Sequence, residues 1–112
     1  MDKKHLLTIG NISKQTGVHI KSLRYYDKIG ILPPAHVDRE TGYRYYDFSQ
    51  IQLVEAIQLC VELDIPLNRF TEFLTEDKKS IRYGKLIAYG SMLADEKIRA
   101  INTKLHILDE MQ

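Results

Sequence analysis

Gly17 and Gly30 bracket a stretch long enough for only one short helix, and Pro33-Pro34 bars any continuation beyond it. Upstream, Thr8 is a good N-cap for an equally short helix that carries Ile9 and Ile12 and ends at Gly17. Helices of about two turns are stable only when packed on a neighbour. Two of them joined by the tight connection Gly17-Val18-His19 make a helix-turn-helix pattern.

The second helix, about Ile20 to Ile29 with Gly30 as its left-handed terminator, is two-faced. At 100° per residue, Ile20, Leu23, Tyr26 and Ile29 share one half, while Lys21, Arg24, Tyr25 and Lys28 gather on the other with Ser22 at the edge. Arg-Tyr-Tyr-Asp occurs at residues 24–27 and again at 44–47. The second copy does not read as helix. Val37, Tyr43, Tyr45 and Tyr46 favour strands, and Arg39-Glu40-Thr41-Gly42 reads as the turn of a small hairpin. Strand alternation puts Arg44 and Tyr45 on opposite faces. Asp47 and Gln50 read as the capping box of a third helix. The two copies are therefore different structures that both present Arg and Tyr, expected to serve one partner. Tyr26 and Tyr46 are expected in the core, and Arg24 with Asp27 offers a simple surface ion pair as the competing account.

Ile51, Val54, Ile57 and Val61 outline the third helix to about Leu63, and Asp64-Ile65-Pro66 breaks it. A short fourth helix over about 67–74 is expected to bury Leu67, Phe70, Phe73 and Leu74. After the polar 75–80, Ser80 is expected to cap a last helix running to the end of the sequence. Ala94, Ile98, Ile101, Leu105 and Leu108 alternate by three and four, a heptad seam that Ile87 extends less regularly. Such a helix cannot bury its stripe on a head of 75 residues, so a second copy of the chain is the simplest partner. Gly84 and Gly90 weaken its first turns by about 1 kcal/mol each unless close packing requires them. The organisation expected is residues 1–75 as head and 76–112 as linker and dimerisation helix.

Charge divides the chain in the same sense. Residues 1–46 hold eight Lys/Arg against four Asp/Glu, and residues 47–112 hold eight against eleven. A basic first part suits a polyanion. Cys60 stands alone and is expected to be a small buried hydrophobe, which fits a reducing cytoplasmic location. No apolar run approaches a membrane span, and the N-terminus lacks the pattern of a secretory signal. His5, His36 and His106 lack metal spacing and are expected at the surface. No metal, no cofactor and no catalytic arrangement is expected.

IGNISKQTGVHIKSLRYYDKIGILPPA, then TGYRYYD, then the IPL break, together resemble the MerR family of bacterial transcription regulators. The resemblance covers residues 7 to about 75 closely and the long helix loosely. It implies a mainly α, winged helix-turn-helix fold with a hairpin wing and an antiparallel coiled coil formed by the long helix. It also implies a homodimer on pseudo-palindromic promoter DNA that controls transcription by distorting the spacer in response to an effector, with RNA polymerase as an indirect partner. Carried over residue by residue, Arg24, Tyr25, Arg44 and Tyr45 become DNA contacts, joined by Lys21, Ser22 and Lys28. His19 departs from the family's usual Ser or Thr cap and is expected to reach a phosphate instead, more strongly when protonated. Two other readings of the same residues are a DNA-architectural or recombination accessory protein and a pure protein-interaction module.

Overall fold

The computed structural model describes residues 6–112. Its order is β1 (Leu6–Thr8), α1 (Ile9–Thr16), α2 (Ile20–Lys28), β2 (His36–Val37), β3 (Arg44–Asp47), α3 (Ser49–Glu62), a 3₁₀ segment (Leu67–Phe73) and α4 (Tyr83–Glu110). His5 lies outside the described residues.

Each helix end has a local cause. The Thr8 side chain accepts from the Asn11 N–H at 3.0 Å while Asn11 Oδ1 accepts from the Thr8 N–H, a reciprocal cap on α1. Behind α2, the Gly30 N–H donates to the Asp27 carbonyl and the Ile31 N–H to the Tyr26 carbonyl, both at 3.0 Å, with Gly30 at φ 81°. That is a Schellman closure, and it needs the left-handed backbone that glycine adopts without strain. It also ends α2 one residue early: Ile29, expected on the apolar face, is exposed because the turn carries it off the helix.

The hairpin is part of a three-stranded antiparallel sheet ordered β1-β3-β2. β1 supplies the third strand, pairing Leu7 with Tyr46 and Thr8 with Tyr45. Leu7 and Tyr46 both face the core, and Tyr46 is fully buried. The core continues through Ile12, Leu23, Leu32, Val54, Ile57, Cys60, Phe70 and Phe73, all fully or almost fully buried. Each such apolar side chain contributes about 1.5–3 kcal/mol by leaving water. Tyr26 and Cys60 are buried, as their positions in the sequence imply.

Four further expectations change. Gln50 accepts from the Asp47 N–H at 2.8 Å, but the Asp47 carboxylate takes the Ser49 hydroxyl, so only half the capping box forms. Val61 is exposed, because the inward arc of α3 runs through Leu53, Val54, Ala56, Ile57 and Cys60. The segment after Pro66 is 3₁₀ rather than α, and Leu67 is only half-buried. Ser80 caps nothing: its carbonyl accepts from the Thr75 N–H at 3.0 Å, closing the 75–80 loop beside a Leu74–Ile81 bridge, and α4 begins at Tyr83.

The root of α4 is docked on the head. Leu86 and Gly90 are buried, and a Cβ at Gly90 would lie 2.7 Å from Leu63 Cδ1. Arg69 ties the root down as well. It makes two bonds to Glu72 (2.8 and 3.0 Å), one to the Tyr89 hydroxyl (2.8 Å), and its guanidinium lies 4.4 Å from the Tyr89 ring centre. Lys97, further along, pairs with Asp64 at the end of α3. From Asp95 on, every residue of α4 is exposed, so the molecule is elongated, 67 × 27 × 21 Å.

Candidate nucleic-acid interface

The exposed face of α2 is the one its spacing implies. Lys21, Arg24, Tyr25 and Lys28 are all exposed, Tyr25 by 52%, while Leu23 and Tyr26 turn inward and Ser22 is half-buried. Three cations and a phenol thus stand on one helical surface of the size a major groove admits.

Beside it stands β3. Alternation puts Arg44 on the same face as Tyr46, the face turned toward the core and α2, while Tyr45 points the other way and sets its ring 6.1 Å from His36 on β2. His36 is accordingly half-buried against Tyr45 rather than free on the surface. Arg44 sits past the edge of the core, where its Nε donates to Asp27 Oδ2 of α2 at 2.8 Å. Asp27 thus pairs with the arginine of the second Arg-Tyr-Tyr-Asp segment, not with Arg24 of its own. Both side chains are partly exposed, and a pair of this kind stabilises by about 0.2–1 kcal/mol.

Behind the pair lies the buried hydroxyl of Tyr46, with no hydrogen-bond partner among the described residues. Burial pushes this phenol above its ordinary range; Asp27 adds to the rise, and Arg44 and Arg24 oppose it. The charged groups of both Arg-Tyr-Tyr-Asp segments thus lie near enough to Tyr46 to act on it.

Helix and hairpin enclose a cleft of about 340 Å³ lined by Thr8, Ile9, Arg24, Gly42, Tyr43, Arg44 and Tyr45. Two arginines from different elements line this one open space, and arginine is the side chain that can grip an oxyanion at two points. The tip of the hairpin holds its form through Asp38 Oδ1, which accepts from the Glu40 and Thr41 N–H groups at 2.9 and 3.1 Å, and through Gly42 at φ 74°.

The expected contact residues do not all meet in one place. Arg24, Arg44 and Tyr45 share the cleft. His19 and Ser22 line a separate groove of about 270 Å³ with Val18, Tyr26, Gln58, Val61 and Glu62, and Lys21, Tyr25 and Lys28 line neither. His19 is also engaged within the fold, where its Nδ1 accepts from the Lys21 N–H at 3.1 Å and caps α2. An imidazolium has no acceptor nitrogen. Protonating His19 would remove this cap, so any gain in phosphate attraction is opposed at the helix end. Neutral His19 keeps its Nε2–H for an outside acceptor. Thr8, Ile9 and Tyr43 line the cleft although nothing in their spacing points there; only the fold brings β1 beside the wing.

The seam of α4 faces solvent. Ile87, Ile98, Ile101, Leu105 and Leu108 are each 53–59% exposed, and Ala94 is half-buried. Among the described residues no group of three His, Cys, Asp or Glu side chains gathers as a metal site would require. No helix among them is long and apolar enough to cross a membrane.

Residues 7–77 match the family model described as MerR HTH family regulatory protein. The multidrug-efflux transporter 1 regulator of Bacillus subtilis (strain 168) is 37% identical over 91 residues, covering 71% of this chain and 33% of the relative. The crystal structure of MtaN, the N-terminus of a B. subtilis multidrug transporter activator, superposes with a TM-score of 0.75 at 21% identity, covering 94% of this chain and 96% of that one. A cryo-EM structure of an EcmrR–DNA complex in EcmrR-RPo gives a TM-score of 0.68 at 30% identity, covering 93% of this chain and 37% of that one. The chain spans between 23% and 38% of the length of three curated relatives it matches.

Proposed function

This chain belongs to the MerR family of helix-turn-helix regulatory proteins, and from that premise we propose that it is a transcription regulator binding pseudo-palindromic promoter DNA as a homodimer. α2 enters the major groove, with Lys21, Arg24, Tyr25 and Lys28 toward base edges and flanking phosphates. Arg44 and Tyr45 clamp the backbone beside the groove, and Ser22 and the Nε2–H of His19 reach it from the start of the helix. Residues 1–75 form the DNA-binding head and 76–112 the linker and dimerisation helix. Paired α4 seams, through Ile87, Ala94, Ile98, Ile101, Leu105 and Leu108, hold two heads at fixed spacing. Distorting the DNA between half-sites then controls RNA polymerase in response to an effector.

The observation that carries this reading is the cleft in which Arg24 of the helix and Arg44 of the wing face one space. It is tested by fluorescence anisotropy on the duplex upstream of the gene that encodes this chain, for wild type and Arg24→Ala/Arg44→Ala at two salt concentrations. Wild type should bind tightly and lose affinity steeply with salt, because each phosphate contact releases a counterion. The double variant should lose most of that affinity. Equal, weak binding by both proteins would count against the reading.

A further inference from the structure

Asp27 is out of place on a surface meant for a polyanion. It sits in the last turn of α2, on the helix that carries Lys21, Arg24 and Lys28, and its side chain is 23% exposed. A carboxylate there repels phosphate, so electrostatics alone predicts that its removal would tighten DNA binding. Its one ion pair among the described residues is with Arg44, on the other element of the interface and 17 residues away.

The form of that contact matters. Asp27 engages Nε of Arg44, the inner edge of the guanidinium. The two Nη groups make no hydrogen bond among the described residues, and Arg44 lines the cleft beside Arg24. A long arginine side chain on a wing would otherwise sample many rotamers. Held at Nε, it keeps its outer donors for an oxyanion. Two residues along the same face of β3, the Tyr46 ring is fully buried, which anchors the strand that carries Arg44.

We propose that Asp27 is a positioning residue for DNA binding: it fixes the Arg44 guanidinium by its Nε edge and so sets the spacing between the helix arginine and the wing arginine across one backbone phosphate. This rests on the DNA-binding reading given above. The first Arg-Tyr-Tyr-Asp segment then serves the second directly, its aspartate orienting the other's arginine.

The sign of one substitution tests it. Binding to the upstream duplex is measured by anisotropy over a salt series for wild type, Asp27→Asn, Arg44→Ala and the double variant, with thermal melts on each. Asp27→Asn should weaken binding about two- to tenfold per half-site, the equivalent of reordering one long side chain. Its salt slope should fall by about 0.9 for each phosphate that is no longer gripped. In the Arg44→Ala background the same change should leave binding equal or slightly tighter, since only a repulsive charge is removed. Tighter binding by Asp27→Asn in both backgrounds, or an equal loss in both, would overturn the positioning role. Should Asp27→Asn melt below the assay temperature, Asp27→Glu takes its place. It keeps the carboxylate and should retain the wild-type salt slope; a slope reduced as far as in Arg44→Ala overturns the proposal. Wild type that binds neither this duplex nor a scrambled one at low salt would instead remove the DNA-binding reading on which Asp27's role depends.

Discussion

The head and the outer half of α4 are built from similar side chains and treat them in opposite ways. In the head, Ile12, Leu23, Ile57 and Phe70 are shut off from water by α-helices, a sheet and a 3₁₀ segment closing on one another. On α4 the isoleucines and leucines at 98, 101, 105 and 108 stand more than half exposed, although their spacing is as regular as any in the chain. Periodicity alone therefore marks where apolar groups line up, not whether one chain can cover them. A single helix of 28 residues is about 42 Å long, and only its first turns have a head to rest on. Along the remainder regular apolar residues stand bare, and the dimer proposed above would cover them.

The largest effect is expected from making the bare seam unfit for burial. Ile98→Glu with Ile101→Glu should convert a dimer to a monomer in sedimentation equilibrium while the head melts as before. DNA affinity should fall about 10²–10⁴-fold as two linked heads become independent. A dimer that survives both changes would mean that the seam is not the contact.

The docked root sharpens the contrast, because two glycines of one helix meet different surroundings. Nothing lies within 4 Å of a Cβ placed on Gly84, whereas at Gly90 the Leu63 side chain is already there. Gly84→Ala should stabilise by about 0.5–1 kcal/mol through helix propensity. Gly90→Leu should destabilise by about 1–3 kcal/mol through overpacking against Leu63. Urea melts of both variants check the pair of signs; two changes of the same sign would show that the root is not packed as described.

The smallest effect concerns the clasp at that root. Hydrogen bonds from Arg69 hold the Glu72 carboxyl below its ordinary range. A carboxylate with a lowered folded-state value adds stability above the ordinary glutamate range and loses it as pH falls through the lowered value. Glu72→Gln should therefore melt slightly below wild type at neutral pH and converge with it in acid. The gap is small because the pair is open to solvent. Parallel melting curves down to the lowest pH would show that the clasp contributes no pH dependence.

Much of this molecule is legible in the sequence. Thr8, Gly17 and Gly30 mark helix ends through contacts within a turn of themselves, and the seam of α4 is a repeat along one element. The faces of α2 likewise follow from helical spacing, apart from Ile29, which the closing turn carries outward. Other features leave no local signal. β1 is three residues long, too short for an alternation pattern, and exists because β3 lies beside it. Ser80 has the chemistry of a cap, but the loop from Thr75 claims its carbonyl. Asp27 invites pairing with Arg24 one turn back, yet strand alternation delivers Arg44 to it from across the fold.

Local sequence set helices α1 to α4, most of their ends, the cationic face and the apolar stripe of α4, because each depends on side chains within about one helical turn or on a fixed period. The tertiary structure alone decided the third strand, the Asp27–Arg44 pair and the cleft between helix and wing. Those depend on which distant segments the closing core brings within hydrogen-bond reach, and no spacing along the chain encodes that distance.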